Sequence, residues 1–134
     1  MKIAIKRTDG GISIMHLLND NELESSLRKW RDVHVDEYVS HEIVTEADLP
    51  QDRLFRNAWG HDLKVDMAKA REIHMDKIRK ARDKAMKALD VETLKGRDVQ
   101  AQKQVLRDIP QTFDLSVATT PEELTELWPD GLVP

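Results

Sequence analysis

The sequence predicts an α+β protein: a small N-terminal ββαβ module, then a long helix, an α-helical hairpin and a short acidic tail. Three observations carry that reading. Two β-branched runs flank the Asp-Gly-Gly of "KIAIKRTDGGISIMHLL", and glycine supplies the positive φ that tight hairpin turns need. From Val65 to Leu89 the chain has neither glycine nor proline and is rich in Ala, Lys, Arg and Met, all good helix formers. Charge is also segregated: residues 1–63 hold 8 Lys/Arg against 12 Asp/Glu, residues 64–107 hold 13 against 7, and residues 108–134 hold none against 6. These blocks predict three units: an α/β module over 1–62, a helical hairpin over 63–110 and a partner-docking tail over 111–134.

After the hairpin, Asn19, Asp20 or Asn21 offers a helix cap, and Leu23, Leu27 and Trp30 then fall on one face at spacings of four and three. Tyr38, Ile43 and Val44 lie in a strand-like segment that Pro50 terminates, which completes ββαβ by about residue 48. A junction follows, where Leu54, Phe55, Ala58 and Trp59 form a short apolar stripe that stops at Gly60. In the long helix the less polar positions include Met67, Ala70, His74, Ile78, Ala81, Ala85 and Ala88, a narrow and mostly alanine stripe. Gly96 breaks it. A second helix, "DVQAQKQVLRD", places Val99, Gln102, Val105 and Leu106 on one side. Pro110 is expected to end it, because proline lacks the donor and disfavours helical geometry at Ile109. In the tail, Thr120 as N-cap, Pro121 at the first helical position and Glu123 three after the cap predict a capping box.

Composition limits the chemistry. The chain has no cysteine, so disulfides and thiolate metal sites are impossible. No apolar run approaches the ~20 residues of a membrane helix, and "MKIAIKRTDGG" lacks a signal-peptide hydrophobic region. "HEIVT" at His41 begins like a zinc-protease motif, but Thr45 stands where the second histidine is required. His61, Asp62 and Asp66 read as surface residues at a helix entrance. No phosphate loop, nucleophile elbow or nucleophile with a base is present, so the expectation is a protein without catalysis, metal or cofactor. The basic helix interleaves Asp66, Glu72, Asp76 and Asp83 among its cations, the pattern of a salt-bridged solvent face rather than of a nucleic-acid helix. Of the large aromatics, Trp30 reads as core, while Trp59, Phe113 and Trp128 are candidate anchors for a partner.

The stretch "LRDIPQ", preceded by "QKQ" and followed at 128–134 by "WPDGLVP", resembles phage tail assembly chaperone-like proteins, in which a helix ending in L-R-D-I-P leads to a W-P-x-x-P terminus. Leu106, Arg107, Asp108, Ile109 and Pro110 match, as do Trp128, Pro129 and Pro134. The blocks "ADLPQDRLFRNAWG" and "VDMAKAREIHMDKIRKAR" are similar to small proteins that accompany tail fibres. The stretch between Pro110 and Trp128 is longer than that pattern, and an extra residue precedes the last proline. The resemblance implies a non-catalytic protein of the host cytoplasm, possible as a virion component, that helps a fibre or other structural tail protein fold, trimerise or attach. It implies Leu106, Arg107, Pro110, Trp128, Pro129 and Pro134 as partner-binding residues. The competing reading is a self-associating helical-hairpin module that binds an acidic or nucleic-acid partner through its basic helix.

Overall fold

The computed structural model describes all residues, Met1–Pro134, and they divide into two compact units, Met1–Asp66 and Met67–Pro134. The α+β expectation holds: a three-stranded antiparallel sheet comes first, followed by a long helix and two further helices. The division falls at Asp66 rather than Asp62, and residues 111–134 lie within the second unit rather than forming one of their own.

In the first unit, β1 (Lys2–Arg7) sits between β2 (Ile12–His16) and β3 (Tyr38–Val44). The hairpin turn forms as its glycines predict. Gly10 takes φ 87°, and the Asp9 carboxylate accepts from the Gly11 N–H at 2.8 Å. Strand alternation sends Ile3 and Ile5 to one face and Ala4 to the other. On the first face, Ile3, Ile5 and Leu17 pack against Leu27 of α1 (Leu23–Val33), with Leu23, Trp30 and Tyr38 around them. Trp30 therefore belongs to the core rim, stacked on His34 with ring centroids 4.2 Å apart. On the second face, Ala4, Ile12 and Val44 meet Leu49 and Trp59 from the loop that follows β3. That loop is closed by bridges from Gly60 to Gly11 and from Trp59 to Val65.

One local expectation at α1 needs correction. None of Asn19, Asp20 and Asn21 caps it. Residues Asp20–Glu22 form a 3-10 turn that leads directly into the helix, and neither Asn19 nor Glu22 makes a side-chain cap bond. The helix is held instead by its buried face, as tertiary packing supplies most of a short helix's stability.

The second unit is built on α2 (Met67–Leu94), 28 residues and about 42 Å long. It extends beyond Leu89 because nothing stops it before Gly96. There Gly96 takes φ 84°, the Arg97 N–H bonds the Glu92 carbonyl and the Gly96 N–H bonds the Thr93 carbonyl, the two bonds of a Schellman cap. The chain returns through α3 (Gln100–Thr112), which completes the hairpin.

Pro110 does not end α3 at the preceding residue. It lies inside the last turn, where its missing donor costs a single bond to Leu106. The Phe113 N–H still bonds the Ile109 carbonyl at 2.8 Å, and burial of Ile109 offsets the restriction a proline places on the residue before it. The buried side of α3 also differs from the predicted one. Gln102 and Val105 are exposed, and Lys103 is buried in their stead, with its ammonium 2.8 Å from the Asp90 carboxylate. The four-carbon stem of lysine explains the substitution: it packs as an apolar rod while its head reaches the exposed acid.

Trp59 is 1% exposed, so Trp59→Ala is expected to destabilise the first unit by about 3–5 kcal/mol. Chemical denaturation followed by circular dichroism checks it; a loss under about 1 kcal/mol would place the indole outside the core.

Candidate functional site

The tail is held on α2 by its own contacts. Arg71 donates from Nη2 to the Ala118 carbonyl at 2.8 Å, and His74 donates from Nε2 to the Leu127 carbonyl at 2.6 Å. Between these two clasps, α4 (Pro121–Glu126) lies against α2 and buries Leu124 completely. Leu115, Ala118 and Leu132 are buried as well. Trp128 packs edge-on to His74, with ring centroids 5.7 Å apart, and its Nε1–H donates to the Leu132 carbonyl at 2.6 Å.

The α4 cap works one residue away from the predicted box. The Thr120 hydroxyl accepts from the Glu123 N–H, as expected. The Glu123 carboxylate instead reaches Thr119, accepting from its N–H at 2.9 Å and its hydroxyl at 3.1 Å. Those bonds from Thr119 hold the Glu123 carboxyl below its usual range. Asp114 is lowered too, first by the Ser116 hydroxyl and then by the Ser116 N–H. Both favour the ionised form of the acid.

Beyond the tail, the same unit opens into a groove of about 660 Å³. One wall is α2, through Ala81, Lys84, Ala85, Ala88 and Leu89. α3 lines the groove through Gln102, Val105 and Leu106, and the tail through Gly131 and Val133. Val105 is 65% exposed although it is a β-branched apolar residue on an ordered helix. The arrangement can bind an apolar surface; it brings no nucleophile and base together.

The residues singled out in the sequence are dispersed. Leu106 is half-buried in the groove wall, with Arg107 exposed beside it. Pro110 and Phe113 sit half-buried at the end of α3. Trp128 and Pro129 serve the tail's own packing, and Pro134 is exposed. Trp59 lies in the core of the first unit, where its Nε1–H has no hydrogen-bond partner. Among the histidines, His61 donates from Nε2 to the Arg7 carbonyl at 2.8 Å, and Asp62 accepts from the Lys64 N–H. No three His, Asp or Glu side chains converge as a metal-binding group, and no helix is long and apolar enough to cross a membrane. The sequence reading had the alanine stripe as packing surface but missed that its second half is open, and it missed Arg71 and His74 as clasps. Only His74, a polar residue on an apolar stripe, carried a signal.

No protein-family model, curated protein or solved structure matches the chain.

Two outcomes follow from the clasp. Leu124→Ala is expected to cost about 2–4 kcal/mol in the second unit and to expose Trp128, measurable by denaturation and by a red shift of tryptophan emission. Asp114 and Glu123 titrate at lowered values, so their contribution is complete above the ordinary carboxylate range and is lost as pH falls through the lowered values. Trp128 accessibility to a neutral quencher should therefore stay flat from neutrality down to about pH 4 and rise only below it; a rise that begins well above the carboxylate range would contradict the assignment to these two acids.

Proposed function

We propose that this protein is a non-catalytic binding protein that engages a phage tail-fibre or other structural tail protein and aids its folding, trimerisation or attachment. The observation that supports the reading is the apolar groove between α2 and α3. An ordered helical hairpin leaves Val105 and Ala88 uncovered and Leu89 half-buried around a cavity of about 660 Å³. Large open apolar surfaces on soluble domains are the usual mark of a binding site. Leu106, the first residue of the L-R-D-I-P element, stands in the groove wall. The resemblance to tail assembly chaperone-like proteins supplies the class of partner, and the groove supplies the means of holding it.

The physical task fits such a partner. Fibre proteins are long, β-rich trimers whose non-local contacts form slowly and leave apolar surface exposed meanwhile. A small protein with a preformed groove can cover part of that surface until the contacts close. In this reading the tail's large side chains are committed to their own unit, so recognition passes from Trp128 to the groove.

The test is co-expression with the adjacent fibre-like protein, followed by size-exclusion chromatography with light scattering in high salt. A co-eluting complex of defined mass is expected, because apolar contacts are little screened. Ala88→Trp, which fills the groove from an exposed position, is expected to abolish it. A fibre protein that is soluble and trimeric alone and elutes separately would overturn the reading. A self-complex of this chain without the fibre protein would favour the self-associating module.

A further inference from the structure

The apolar stripe of α2 is covered unevenly along its length. Ala70, His74, Ile78 and Ala81 are buried, and the tail lies against this half through α4. Ala85 and Ala88 continue the same stripe at helical spacing but form the wall of an open groove. So α2 offers one continuous surface, half of it occupied. The occupant is a short acidic helix with Leu124 as its inserted side chain and Glu122 and Glu126 exposed.

The open half is matched to the same chemistry. Lys80, Lys84 and Lys87 recur at spacings of four and three, so they form one row along the helix, and Lys84 itself lines the groove. All three are exposed, and none is ion-paired. The acids of this part of α2 are already taken: Asp76 by Arg79, Asp83 by Arg82, Asp90 by Lys103 and Glu92 by Lys95 and Arg97. The α3 wall contributes the uncharged Gln102, Val105 and Leu106. No acidic residue lines the groove. Alanines at 81, 85 and 88 leave room for close approach of a second helix, since interaxial distance follows the size of the contact side chains.

We propose that the open half of the α2 stripe takes a short acidic amphipathic helix of the partner protein, seated on Ala85 and Ala88 with its carboxylates on Lys80, Lys84 and Lys87. This inference rests on the reading of the groove as the docking site. It adds the chemistry of what docks there: leucine-like side chains flanked by glutamate or aspartate, as α4 presents Leu124 between Glu122 and Glu126 to the first half of the same helix.

The test uses the full chain and two fluorescein-labelled helical peptides about four turns long. Both carry leucines at i, i+3, i+4 and i+7, one with glutamates between them and the other with lysines. Fluorescence anisotropy is expected to show saturable binding of the glutamate peptide and none of the lysine peptide. The K80E/K84E/K87E variant is expected to bind the glutamate peptide about tenfold more weakly, and Ala88→Trp to abolish binding. Thermal melting confirms that these exposed substitutions leave the fold intact. Equal binding of both peptides, or an unchanged affinity in the triple lysine variant, would overturn the charge match. If the fibre complex is lost in Ala88→Trp while the glutamate peptide fails to bind, the groove still docks a partner but of other chemistry, and this inference alone falls. Light scattering that shows a dimer of this chain broken by Ala88→Trp would assign the groove to a second copy and overturn it as well.

Discussion

The second unit depends on one constraint: α2 is about 42 Å long and carries a stripe that cannot be left in water along its whole length. Alanine, which makes up most of that stripe, removes little area per residue from water, so each covering element contributes modestly. Direction therefore comes from hydrogen bonds. Arg71 and His74, one turn apart on α2, hold two carbonyls of the tail, and α4 is fixed between them with Leu124 inserted. A short tail with no Lys or Arg is thereby ordered through a few buried residues, Leu115, Ala118, Leu124 and Leu132.

The first unit solves a similar problem differently. Both faces of β1 are buried, by α1 on one side and by the 49–65 loop on the other, so the small sheet gains burial on each. A 3-10 turn at Arg56–Ala58 and the two bridges at Trp59 and Gly60 fold the loop back, and Trp59 supplies the area that holds it. The cost is an indole N–H in the core without a partner. An aromatic there serves packing, and its burial removes it from recognition.

These two arrangements determine what remains for function. Trp59 and Trp128, the side chains with most to offer an interface, are used in folding. What stays open is a groove of small apolar residues beside a row of lysines, a surface that offers shape and charge pattern rather than one large anchor. In the proposed function, such a surface suits a partner held during assembly, since it can be released without extracting a deeply inserted aromatic; recognition is placed on the α2–α3 hairpin for that reason.

The sequence by itself determined the element order, the hairpin turn at Asp9-Gly10-Gly11, the stop at Gly96 and the Thr120 cap, because each rests on local backbone chemistry. It also carried the alanine stripe, through simple helical periodicity. Tertiary structure alone decided the rest. Pro110 stays inside α3 because Ile109 gains burial that a local rule cannot see. Lys103 turns inward because Asp90, thirteen residues earlier on another helix, waits at 2.8 Å. The candidate site was least legible of all: a groove is a place where covering elements stop, and where they stop depends on the reach of Arg71, His74 and Leu124 across the fold rather than on any residue in the groove itself.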